Sequence, residues 1–261
     1  MAATKCKIES GVQLFARLIR KPEIENFYTD LFQPGLRRND VVEMFGNISF
    51  SSLLIDMISE ALLPKQTNAR PLGVLLLNTA GQFSYVELVN EMKTKVESLY
   101  TNEDRPADIE SILQKALSNL FILDIYNATQ MYATIHNLDT IFVQNLNISL
   151  LIVDTLTAFY WLEQGFKISK MDLYIKTLLK MIQKVSKEYK VTFMYTRPGY
   201  FGSSKDSDNL ETCEIQVSEG VNIKIQLLDK NSTGEYQVNV KTVDSYYKKC
   251  FCTLNNGIKW Q

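Results

Sequence analysis

Histidine is almost missing from this chain: His136 is the single one in 261 residues. One imidazole on an expected helix, with no serine elbow or cysteine nucleophile to serve, excludes a hydrolase built around a histidine base. Cysteine is scarce as well. The four thiols lie far from one another except for Cys250 and Cys252, and no Cys-x-x-Cys pair or second histidine completes a zinc site. Cys250 and Cys252 share one face of an expected strand and read as small buried hydrophobes of a reducing compartment. Neither sign of charge is in excess, with 28 Lys and Arg against 29 Asp and Glu. That balance supplies no overall field for a phosphate backbone, which disfavours strong autonomous nucleic-acid binding but leaves local patches open. Long uncharged apolar runs are absent too. Nothing approaches the about 20 residues of a membrane span, and the opening MAATKCKIES lacks the apolar centre of a signal peptide, so no membrane role is expected.

What the chain does have is apolar content, 46% hydrophobic, enough for a substantial core. Its most informative stretch is Asn147 to Leu162, NISLLIVDTLTAFYWL. Ile148 to Val153 is apolar without alternation, as in a parallel strand buried on both faces, and ends in one acid, Asp154. Carboxyl ends of parallel strands open onto the ligand crevice, where such an acid holds magnesium. The other reading of Asp154 is that it caps its own turn with Thr155 and Thr157.

Around this strand the plan is regular. Helices are expected over Glu9 to Arg20 (Val12, Phe15, Ala16 and Ile19 inward), Leu53 to Leu63, Tyr85 to Leu99, Ala107 to Ser118, Ala128 to Val143 and Met171 to Tyr189. The last should turn Leu173, Leu178, Leu179, Ile182 and Val185 inward. Strands are expected at 41–45, 73–77, 120–125 and 191–195, then at 221–228, 235–243 and 249–254, with a tight Lys230 to Gly234 turn making an antiparallel hairpin. The fold class is α/β: a largely parallel sheet flanked by helices, with a C-terminal antiparallel edge. Residues 1–40 read as an N-terminal helix and linker and 41–261 as the core. Arg197 to Ser218 is polar and long enough to be a functional loop.

A strand, a glycine and then a helix is the place of a phosphate-binding loop. Gly46 to Leu53, GNISFSSL, matches Gly-x-x-x-x-Gly-Lys-Ser/Thr only at Gly46. Ser51, Ser52 and Leu53 stand where the second glycine, the phosphate-neutralising lysine and the magnesium hydroxyl belong. Losing one buried charge partner typically costs ~3 kcal/mol, more than a hundredfold in affinity, and here the metal ligand is lost as well.

The order Val41-Val42-Glu43-Met44-Phe45-Gly46, then Val74-Leu75-Leu76-Leu77-Asn78-Thr79, then Leu150 to Trp161 resembles the RecA-type recombinase core, and more narrowly the recombinase paralogues. Glu9-Ser10-Gly11, Leu14 to Leu18, Leu62-Leu63-Pro64-Lys65, Ala158-Phe159-Tyr160-Trp161 and the ending Lys249 to Gly257 carry the match. The resemblance implies a degenerate RecA-like ATPase core. Asp154 keeps the magnesium-side acid, but the acid that orients water falls at Ala80, and the γ-phosphate-sensing amide falls near Arg197-Pro198. Gly46, Ser51, Ser52, Leu53 and Asp154 are then a vestigial nucleotide site, with no catalytic residue, cofactor or metal expected.

It also implies a non-catalytic subunit of a heteromeric complex in the nucleus that assists homologous-recombination repair of DNA double-strand breaks. The partner would be another recombinase paralogue. Eight residues precede Glu9, without the Phe-x-x-Ala of the family's N-terminal arm, so the chain is expected to receive an arm and not to give one, as a terminal subunit. DNA would be met through the complex, with Lys176, Lys180, Lys184 and Lys187, a ridge on the long helix, and Arg197 and Lys205 as the candidate contacts. The ridge reads equally as a solvated face. Two rival readings are a RecA-fold subunit of an Elongator-type tRNA-modification complex and a nucleotide-dependent enzyme with a divergent phosphate site.

Overall fold

The computed structural model describes residues 9–63, 70–79, 81–99, 109–163, 170–200, 210, 220–232, 234–254 and 257–261. Apolar runs without alternation become the strands β1 (Val41–Gly46), β2 (Gly73–Asn78), β4 (Ile148–Asp154) and β5 (Thr192–Pro198). Each is buried on both faces. With β3 (Leu120–Asp124) and β6 (Ile223–Lys230) they form the parallel part of one nine-stranded sheet, ordered β3-β2-β4-β5-β1-β6-β7-β8-β9. β7 (Tyr236–Thr242), β8 (Tyr246–Leu254) and β9 (Gly257–Trp260) continue it in antiparallel fashion. The fold is thus the expected α/β sheet with an antiparallel C-terminal edge, consistent with a RecA-like core. The Lys230 to Gly234 turn closes on Asn231, whose N–H donates to the Glu235 carbonyl at 2.8 Å, and Gly234 supplies the φ of +83° that it needs.

Alternate residues of one strand feed two cores. On β4, Leu150 and Ile152 face α2 (Ser51–Leu62), α3 (Tyr85–Leu99) and α4 (Ile109–Leu117). Leu151 and Val153 face α5 (Ala128–Gln144), the short α6 (Tyr160–Glu163) and α7 (Met171–Glu188). The linker joins the first core: Ile24, Phe27, Tyr28, Leu31, Phe32 and Leu36 are all buried in it. Lys21 is buried beside β4, donating to the carbonyls of Leu146 at 2.7 Å and Ile148 at 2.9 Å, and burial lowers its pKa to about 8.

Three expectations need correcting. The first helix, α1 (Gly11–Leu18), has the Ser10 capping box that ends its N-terminus cleanly, but of the four residues expected inward only Ala16 is buried. Val12 is 60% and Phe15 57% exposed, because α1 meets α5 through Gln13 and Asp139 (2.8 Å) and leaves its wider apolar stripe uncovered. On α7, Leu173 is exposed and Tyr174 and Ile175 are buried in its place, a rotation of the inner stripe at the helix start. Cys250 and Cys252 are free thiols but only half-buried, on the face of β8 opposite Tyr247 and Phe251, which pack against the first core. β9 was not foreseen, and β8 begins three residues earlier than expected.

Candidate functional site

Parallel register brings the tips of β1, β5 and β4 to one end of the sheet, so Gly46, Pro198 and Asp154 meet around a crevice of about 460 Å³. Asp154 is its acid. Burial raises the pKa of this carboxyl, and hydrogen bonds from the hydroxyls of Thr196 (2.7 Å) and Thr155 (3.3 Å) oppose the rise. The following turn is tied down by Thr79, whose N–H donates to the Asp154 carbonyl at 2.6 Å and whose hydroxyl donates to that of Thr155 at 2.7 Å. Asp154 thus lines the crevice and accepts from the hydroxyls that order its own strand tip. Thr157, expected to help, has a buried hydroxyl without a hydrogen-bond partner among the described residues.

The loop after β1 lines the crevice from Gly46 to Ser51 and leads into α2. α2 begins at Ser51 behind Phe50, which makes no side-chain cap. Ser51 lines the crevice and donates to the Gln82 carbonyl at 3.3 Å. Ser52 is exposed outside it, and Leu53 is turned into the first core. Gly46 has a packing reason of its own: a Cβ there would lie 2.4 Å from the Leu227 carbonyl oxygen of neighbouring β6. Among the described lining residues Arg197 is the one cation, and it is inside the sheet, 3% exposed. Its Nε donates to Glu43 Oε1 at 2.5 Å, its guanidinium covers the Phe45 ring at 4.6 Å, and Lys224 approaches the other Glu43 oxygen at 3.8 Å. The crevice thus joins one carboxylate to hydroxyls, amides and apolar walls, with its one arginine engaged by a buried acid. Polyphosphate would find little positive charge there, and among the described residues no cluster of three metal ligands exists.

The structure brings Gly46, Ser51, Asp154 and Arg197 together and leaves Ser52 and Leu53 out. Lys176, Lys180, Lys184 and Lys187 are all exposed along α7, as a ridge. Arg197, first read as a loop cation, is the sixth residue of β5 and packed within the sheet. Lys205 and Ala80 lie outside the described residues. His136 is exposed on α5. Sequence reasoning missed Glu43, Thr79 and Thr196; the signal was present, as polar residues inside otherwise apolar strands or at their tips.

Sheet order and crevice together define the class: an α/β protein, consistent with a RecA-like core, with a crevice at its strand tips that holds one acid and one buried arginine. The chain is similar to the DNA repair protein XRCC2 of mouse, 22% identical over 208 residues, which are 77% of this chain and 72% of that protein. No protein-family model matches the chain.

Proposed function

We propose that this chain is a non-catalytic recombinase-paralogue subunit, a pseudo-ATPase adaptor that assists homologous-recombination repair of DNA double-strand breaks in the nucleus. The likeness to a protein named for DNA repair supports the setting. The observation that carries the non-catalytic part is the crevice: its loop has Ser51-Ser52-Leu53 where a lysine and a metal hydroxyl are needed, and its arginine is bound to Glu43. The partner is another recombinase paralogue, received at β3. That edge strand carries Leu120, Phe121, Ile122 and Leu123, all half-buried, whereas the opposite edge, β9, is four residues long and holds Lys259. With one receptive edge, a head-to-tail contact ends at this subunit and does not propagate.

Titration with a fluorescent ATP analogue in magnesium tests the pseudo-enzyme reading. The purified chain should neither bind it at micromolar concentration nor hydrolyse ATP, and Asp154→Asn should change nothing. A micromolar, magnesium-dependent affinity that Asp154→Asn abolishes would establish the rival reading, a divergent nucleotide site.

A further inference from the structure

The antiparallel end of the sheet has two unlike faces. One, with Val238, Val240, Tyr247, Phe251 and Trp260, belongs to the first core. The other contributes no residue to either core cluster. Strand register places Lys224, Lys241 and Tyr246 side by side across it, then Gln226, Asn239 and Lys248 in the next row, with Lys259 opposite Cys252 beyond. Lys248 and Lys259 are exposed, and Lys241 and Tyr246 half-exposed. No Asp or Glu of β7, β8 or β9 falls on this face, and the nearest acids in sequence, Glu235 and Asp244, sit in the turns at the two ends of β7. In a chain of net charge −1 this is a local concentration of positive charge. Lys224 in this row is buried and pairs with Glu43 at 3.8 Å, so the accessible charge is that of Lys241, Lys248 and Lys259, whereas a solvated sheet face ordinarily mixes signs.

Two further details give the patch a chemistry. Two cations approach the ring of Tyr246, with Lys241 Nζ 5.9 Å and Lys248 Nζ 5.8 Å from its centroid. The floor beside it is held flat by an amide ladder, Gln237 donating to Asn239 at 2.9 Å and Asn239 donating to Gln226 at 3.1 Å. An aromatic ring beside lysines on an open strand face is what an unpaired base and its flanking phosphates require. We infer that the outer face of β7, β8 and β9 is a binding platform for single-stranded nucleic acid, with Tyr246 stacking a base and Lys241, Lys248 and Lys259 contacting the backbone. An acidic polypeptide would use the lysines but would leave the Tyr246 ring without a role. The inference stands apart from the adaptor reading, since a chain that captured no paralogue would still present this face.

Fluorescence anisotropy of a labelled oligodeoxythymidine tests it, using the full chain on a solubility-enhancing carrier with the carrier alone as blank. Lys241→Glu, Lys248→Glu and Lys259→Glu together should weaken binding at least tenfold and flatten the salt dependence by about two in log–log slope. Tyr246→Ala should weaken it roughly tenfold with the slope unchanged, and Tyr246→Phe should restore it. Reversing Lys176, Lys180 and Lys184 should leave affinity within twofold, and all variants should melt as the parent does by circular dichroism. The platform is refuted by an absence of binding in the parent chain or by equal loss from the two lysine triples. It is equally refuted by an unaffected Tyr246→Ala, or by polyglutamate or duplex DNA competing as well as the single strand.

Discussion

Arg197 is a permanent charge placed inside a parallel sheet, and Glu43 one strand away is what makes that tolerable. Both side chains are nearly inaccessible, so neither can recover its lost hydration if the other is removed. Arg197→Gln should therefore cost about 3–5 kcal/mol in urea unfolding. Lys224 at 3.8 Å is too distant to replace the guanidinium. The double change Arg197→Met with Glu43→Gln should regain at least half of that loss. A single-variant cost below about 1 kcal/mol would mean that the pair is not coupled.

At the scale of elements, α2, α3, the linker and β9 are joined by one buried polar network. Lys95 of α3 contacts Asp56 Oδ1 and Glu91 Oε1, each at 2.8 Å, and also donates to Ser59. Tyr28 of the linker donates to Asp56, Trp260 Nε1 donates to the Tyr28 hydroxyl at 3.2 Å, and the Ile258 N–H of β9 reaches Asp56 at 3.4 Å. One cation thus serves two buried acids. Lys95→Met should cost about 3–5 kcal/mol at neutral pH and loosen β9, detectable as faster amide exchange at Ile258. Burial already raises the Glu91 carboxyl above its usual range, and losing Lys95 raises it further. A folded state that holds this proton more tightly than the unfolded state gains stability as pH falls through the raised pKa. The deficit of Lys95→Met relative to the parent should therefore shrink between pH 7 and about pH 5. A deficit that is constant with pH would place the loss in packing alone.

Over the whole molecule, two apolar surfaces stand out among the described residues: the edge strand β3, half-buried from Leu120 to Leu123, and the outer stripe of α1, with Val12, Leu14, Phe15 and Leu18 exposed. Expressed alone, the chain should be poorly soluble, and co-expression with a recombinase paralogue should yield a monodisperse pair. Deleting the paralogue's N-terminal arm, or blocking the outward backbone of β3 with Ile122→Pro, should abolish capture, whereas removing residues 1–8 should not. A stable monodisperse monomer, or self-assembly into filaments, would overturn the adaptor reading. Most of the elements, β9 apart, were legible because their signals are local: the short apolar run Ile148 to Val153 suits a strand buried on both faces, and 3.6-residue periodicity marks α5 and α7. The absence of a lysine from Gly46 to Leu53 was legible too, since it holds in any fold. Faces and partnerships were not. Whether the stripe of α1 is covered, whether Arg197 reaches solvent or Glu43, and which lysines gather around Tyr246 depend on strand order and register. These pair residues as distant in sequence as Val42 and Ile223, and no local pattern encodes them.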